Sequence, residues 1–135
     1  MKTRYLLLLM TFAVILQLSC QKDLHSEIRE TTSLVQGKWQ VESIVINQNI
    51  GGVLNKTTHV GTVQDYVEFS SDNKMYTFFN NTSDTSHYEV KNETTIIIDG
   101  DNATIRTLTP GQFVLYSKDK AGSVGYVEII YNLKK

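Results

Sequence analysis

The sequence is poor in cysteine: among 135 residues there is one, Cys20, so no disulfide can form within the chain. A mini-protein stapled by disulfides is excluded, and any fold must rest on its own core. Charge of one sign is lacking as well, since 13 basic against 14 acidic residues leave a net charge of −1. That gives no general attraction to nucleic acid or to an anionic membrane. The length leaves room for one domain with a targeting segment, not for a multidomain enzyme. From Leu34 onward alanine is almost missing, with only Ala103 and Ala121. In the same 102 residues, 42 are Val, Ile, Thr, Tyr, Phe or Trp. These types suit a pleated, half-buried surface better than a helix.

Patterns that carry catalysis are missing too. His25, His59 and His87 have no metal-ligand spacing, so no metal site is expected. Asp99-Gly100-Asp101-Asn102 lacks the later ligands of a calcium loop and reads as a hairpin turn. No Gly-x-Ser-x-Gly, P-loop or Gly-x-Gly-x-x-Gly occurs. Neither an enzymatic activity nor a cofactor is expected. Asn-x-Ser/Thr sequons begin at Asn55, Asn80, Asn81, Asn92 and Asn102, and read as Asn/Thr-rich turns.

What is present begins with an address. Lys2 and Arg4 precede an apolar run from Tyr5 to Leu16, without an acidic residue before Cys20. A membrane span needs about 20 apolar residues; this shorter run suits the apolar region of a signal peptide. Gln17-Leu18-Ser19-Cys20 then resembles the lipobox of bacterial lipoproteins, with Gln17 where leucine is usual. The resemblance implies that residues 1–19 are a cleaved signal peptide and that Cys20 is the lipidated first residue of the mature chain. It also implies a diacylglyceryl group, often with a third chain. That is enough for stable anchoring, because a single acyl chain holds a protein only marginally. Gln21-Lys22-Asp23 is partly similar to the short export signals of surface lipoproteins in Bacteroidetes. The expected location is the cell envelope, anchored in the outer membrane, with periplasmic and outward display both open. From Cys20 on, 11 basic and 14 acidic residues give a mildly acidic chain. Residues 20–33 read as a lipidated tether, with Leu24, Ile28 and Leu34 supporting one or two helical turns.

Residues 34–135 read as a run of short strands. Apolar alternation and turn residues place them at 38–47, 64–70, 74–80, 86–91, 94–99, 103–108, 112–118 and 123–133. No crossover helix separates them, so neighbours should pair antiparallel as a meander. Eight strands either pack as two sheets or close into a barrel, and closure of the last strand on the first is favoured. The expected class is all-β, an eight-stranded antiparallel up-and-down barrel. One long connection, between residues 47 and 63, interrupts the short turns; such loops are functional or disordered.

At the first strand stands Gly37-Lys38-Trp39, which resembles the Gly-x-Trp opening of lipocalins. Phe69-Ser70-Ser71-Asp72, Tyr88-Glu89-Val90, Ile105-Arg106-Thr107-Leu108 and Phe113-Val114-Leu115 follow in order. Together they are similar to the small lipocalin-like lipoproteins of Bacteroidetes, across residues 34–135. The resemblance implies that Leu34-Val35 form a turn capping the closed end and that Trp39 plugs the base. Many lipocalins pair that indole with an arginine near the C-terminal end. Here only Lys134 and Lys135 are on the last strand, leaving Arg106 or no partner as alternatives.

If Trp39 points inward, Val41 and Val45 share its face. Val67, Phe69, Tyr88, Val90, Ile96, Ile98, Phe113, Leu115, Ile129 and Tyr131 are companions. Of these, Val41, Phe69, Tyr88, Ile96, Leu115 and Ile129 are the candidates to face a small apolar ligand. Such a barrel is either packed solid or holds one small molecule. Ile50, Val53 and Leu54 in the long connection are candidates for a lid over the mouth. Tyr66, Tyr76, Tyr116 and Tyr126 fall on the outward face, where they could meet a protein or a glycan. The expected function is binding of a small apolar molecule by an anchored monomer. A non-catalytic module docking on the envelope is the alternative.

Overall fold

A computed structural model describes residues 23–135. The signal peptide and the lipidation expected at Cys20 lie outside the described residues.

Helix α1 spans Leu24–Val35. Asp23 caps it, its carboxylate accepting from the His25 N–H at 3.4 Å, and Ser26 Oγ donates to the Asp23 carbonyl at 2.7 Å. Glu27 in the first turn complements the positive end of the helix dipole. Thr31 and Val35 are buried four residues apart on one stripe, with Ile28 half-buried beside them. The helix packs against β5 (Thr82–Asn92). Its 12 residues make about three turns, more than the one or two expected. Leu34 and Val35 therefore finish a helix and do not form a turn. A reversal follows at Gly37, whose φ of +107° is open to glycine and strained for any side chain.

The remaining strands are β1 (Gly37–Ile50), β2 (Val53–Val60), β3 (Tyr66–Phe69), β4 (Lys74–Phe79), β6 (Thr95–Ile98), β7 (Asp101–Leu108), β8 (Gln112–Lys120) and β9 (Tyr126–Lys134). All pairs are antiparallel between neighbours from β3 to β9, and β9 pairs back onto β1 from Tyr126↔Asn49 to Lys134↔Gln40. β1 and β3 to β9 thus close an eight-stranded up-and-down barrel. The expected class holds.

β1 is the longest strand at 14 residues, and its other edge carries two partners in line. Gly37 to Gln40 pair with β3, and Ser43 to Ile50 pair with β2. Residues 47–63 were expected as a long loop, but most of them form the end of β1 and β2. The chain reverses at Gly51-Gly52, with φ of 62° and 83°, a two-residue turn whose twist matches a hairpin. Asn80-Asn81 and Asp99-Gly100 reverse the chain in the same way, all four with positive φ. The first of these turns lets β5 start at Thr82, earlier than the expected residue 86.

Between β2 and β3 residues 61–65 make a short excursion beside a bulge in β1. The register of β1 against β9 shifts between Val41 and Ser43, leaving Glu42 as the extra residue. The excursion satisfies the backbone there: the Val41 N–H donates to the Asp65 carbonyl and the Gly61 N–H to the Glu42 carbonyl, both at 3.0 Å. One consequence corrects the expected inner face. Past the bulge the alternation changes parity, so Ile44 and Ile46 join the core and Val45 does not. Further bulges at Val90/Asn92 and Ile105/Thr107 bend β5 and β7.

Candidate functional site

The barrel is solid at one end and hollow at the other. At the closed end, next to α1, Trp39 is fully buried and its Nε1–H donates to the Val35 carbonyl at 2.7 Å. Its ring meets Phe113 edge-on at 5.4 Å between centroids; Phe113 meets Phe69 at 5.6 Å, and Phe69 meets Tyr88 edge-on at 5.1 Å. Such contacts add about 0.5–1.5 kcal/mol each beyond the area they bury. The Tyr88 hydroxyl donates to the Ser70 carbonyl at 2.8 Å, and burial pushes its pKa up. Val35, Val41, Ile96 and Leu133 fill the spaces between the rings. No room for a ligand is left at this level.

A lysine covers this base. Lys135 Nζ stands 4.1 Å from the centre of the Trp39 ring and donates to the carbonyls of Gln36 at 3.1 Å and Leu34 at 3.5 Å. Arg106 lies elsewhere, over the outward Tyr116 ring at 3.7 Å. The cation on the indole is therefore Lys135.

Above the aromatic layer opens a cavity of about 290 Å³. Its walls are Val67, Phe69, Met75, Ile98, Ala103, Leu115, Ile129, Tyr131 and Leu133, with Thr77, Ser86, Asn102 and Ser117 among them. Asp84, Asp101 and Asp119 complete the lining, on the strand ends at the turns β4–β5, β6–β7 and β8–β9. Tyr131 is pushed up in pKa by burial and, to a lesser degree, by the Asp119 carboxylate.

Of the residues expected to face a ligand, the structure brings Phe69, Leu115 and Ile129 to this cavity. Val41, Tyr88 and Ile96 sit lower, in the filled base, where side chains from all sides meet. Ile50, Val53 and Leu54, the candidates for a lid, stand apart from the cavity wall. They surround the tip of the β1–β2 hairpin, 57%, 60% and 64% exposed, and none lines the cavity. The tight Gly51-Gly52 turn holds them in register with each other. The polar lining is not among the apolar candidates, although alternation reaches it. Counting by twos from Tyr88 gives Ser86 and Asp84; counting from Leu115 gives Ser117 and Asp119.

A family model described as a lipocalin-like domain matches residues 35–119, from the end of α1 almost to the end of β8. The chain belongs to this lipocalin-like family. Comparison with curated proteins and with solved structures gave no match. The matched stretch of the lipocalin-like domain holds every cavity-lining residue except Ile129, Tyr131 and Leu133, which come from the closing strand β9.

The outer wall of the domain is built differently. Tyr66 stacks on Phe78 at 6.0 Å between centroids and carries Lys38 Nζ 3.6 Å from the centre of its ring. Tyr116 Oη and Lys118 Nζ both donate to Glu128, at 3.0 and 3.1 Å. Those two bonds hold the Glu128 carboxyl below its ordinary range, that of Lys118 first. Lys118 also lies over the Tyr126 ring at 4.0 Å. These outward tyrosines are covered by cations of their own chain. Among the described residues no group of three or more His, Cys, Asp or Glu is placed to hold a metal ion.

Proposed function

We propose that this chain is a lipid-anchored lipocalin-like binding protein of the bacterial cell envelope, held at the outer membrane through Cys20. In this reading it takes up one small, largely apolar molecule and acts as a carrier or receptor, without catalysis and without nucleic acid. The observation that carries the binding is the cavity of about 290 Å³ over an aromatic base. Ligand sites run from about 300 to 1,000 Å³, so the cavity suits a small molecule and not a bulky lipid. Membership of a lipocalin-like family supports the same reading. Docking on an envelope protein or glycan through the outer tyrosines is the weaker reading, because cations of the chain already cover Tyr66, Tyr116 and Tyr126.

Titration of residues 20–135, carrying Cys20→Ser, with the neutral dye Nile red tests the binding. A saturable rise in emission at one site is expected; a flat titration rejects the carrier reading. The anchor is tested apart from it. Full-length protein expressed in a bacterium should partition into detergent, and its Cys20→Ser variant into the aqueous phase. Equal partitioning of the two rejects the anchor.

A further inference from the structure

The charges of the barrel wall are sorted by face. On β8, Phe113 and Leu115 point into the core, and Ser117 and Asp119 continue that face to the mouth. Tyr116, Lys118 and Lys120 alternate with them on the other face, where Lys118 meets Glu128. On β7, Asp101 shares the inner face with Ala103 and Ile105, while Arg106 lies outside over Tyr116. On β5, Asp84 and Ser86 continue the inner face of Tyr88. Three strands thus bring a carboxylate to the cavity, and no Lys, Arg or His lines it.

Those carboxylates are not neutralised by the protein. Among the described residues the ion pairs are Lys74–Asp72, Lys118–Glu128 and Lys134–Glu42, none of which involves the cavity. Asp84 accepts only the neighbouring Thr85 N–H at 2.8 Å. The three do not converge as metal ligands either. They are spread around the opening of an apolar chamber, so their field is complementary to a diffuse organic cation whose hydrocarbon part lies below. The three carboxylates are exposed at the rim, and an anionic headgroup at the same place would face three like charges.

Building on the binding reading above, we propose that the cavity selects an apolar molecule bearing a positively charged amine or ammonium group, with Asp84, Asp101 and Asp119 receiving the charge. The apolar walls of Val67, Leu115 and Ile129 hold the hydrocarbon, and the aromatic base sets its depth. A fatty acid of the same length is a poor ligand.

Displacement of Nile red by decylamine, decanol and decanoate at neutral pH and low salt tests this, since the three share a chain and differ in headgroup charge. Decylamine is expected to displace the dye at a concentration at least about tenfold below decanol, with decanoate the weakest. The preference should shrink as salt screens the mouth. In the combined variant Asp84→Asn, Asp101→Asn, Asp119→Asn, the preference for decylamine over decanol should vanish. Decanoate matching decylamine, or a preference that survives in the variant, overturns the cation assignment and leaves the binding reading standing. If neither Nile red nor any chain binds, both fall. Should the triple variant not fold, the single Asp119→Asn variant carries the test through a reduced preference for decylamine.

Discussion

Lys135 Nζ sits 4.1 Å from the centre of the Trp39 indole, at the closed end of the barrel. The same ammonium donates to two carbonyls at the end of α1, those of Gln36 and Leu34. One cation therefore joins the last strand, the first strand and the helix. Lys135→Ala should lower stability by about 1 kcal/mol, the size of one exposed cation–π contact. Chemical denaturation measures it. Lys135→Arg should keep most of that stability, because a guanidinium stacks on the same ring. An alanine variant as stable as the parent would show that the contact contributes nothing.

Trp39 is the only tryptophan in the chain and is fully buried. Its emission should be blue-shifted and shielded from iodide, and ligand uptake in the cavity above should leave it nearly unchanged. Trp39→Ala should destabilise the domain by about 3–5 kcal/mol, through lost burial and the cavity left behind. Trp39→Phe should cost less, but it loses the hydrogen bond to Val35. Red-shifted, iodide-quenched emission in the parent protein would contradict this packing.

Much of the fold is legible by alternation alone. Phe113 and Leu115, Ile96 and Ile98, and Tyr88 and Val90 lie on the inner face because two-residue periodicity survives within an unbroken strand. Val45 fails for a physical reason: the bulge at Glu42 moves the parity on by one residue. That bulge depends on residues 61–65, distant in sequence from β1, and no local pattern announces it. β2 is not legible by alternation, because it is exposed along its whole length and shows no apolar periodicity. The Gly-Gly pair ahead of it, followed by Thr-rich sequence, was the available sign. The acidic mouth is not legible from apolar residues, because the cavity is polar where its walls end.

Gly61 lies so close to β1 that a Cβ there would collide with the Val41 carbonyl oxygen. This oxygen belongs to backbone and has little freedom to move away. Gly61→Ala should therefore destabilise the domain by about 1–3 kcal/mol, as overpacking does, and thermal unfolding would register it. Gly111→Ala, with open space around its position, is the control and should be close to neutral. Equal effects of the two substitutions would refute the close approach.

Asp65 gathers the break between β2 and β3. Its Oδ2 accepts from the Thr62 N–H at 2.7 Å and the Thr62 hydroxyl at 2.8 Å, and its Oδ1 from the Asn80 N–H at 3.0 Å. The Thr62 bonds foremost, then that from Asn80, hold its pKa below the ordinary 3.8 against an opposing effect of burial. A carboxyl lowered in the folded state stabilises the fold above its unfolded pKa and loses that contribution as pH falls through the folded value. Asp65→Asn should therefore melt lower than the parent at pH 7. Below about pH 4 the unfolded parent takes up the proton, so the gap should narrow from there and close once the pH passes below the lowered folded value. Asp72 and Asp99 are depressed likewise, by the Ser70 hydroxyl and the His87 N–H first. Both proteins will thus still lose stability in acid, and the readout is the difference between them. A gap that stays constant from pH 7 to the acid limit argues against the hydrogen-bonded carboxylate.

Ser117 faces the cavity from β8, between Leu115 below and Asp119 at the mouth. Phenylalanine at this position would extend into open space above the filled base, without displacing Trp39, Phe69 or Phe113. Ser117→Phe should therefore fold and melt close to the parent, and should lose at least about tenfold in affinity for Nile red. The same substitution at Thr85, on the outward face of β5, should leave binding intact. Uptake of dye by the Ser117 variant at parental affinity would place the dye outside the barrel, on the exposed apolar side chains of Ile50, Val53 and Leu54. Loss of binding without loss of stability separates the two places, because only the interior site is blocked by a ring that the fold tolerates.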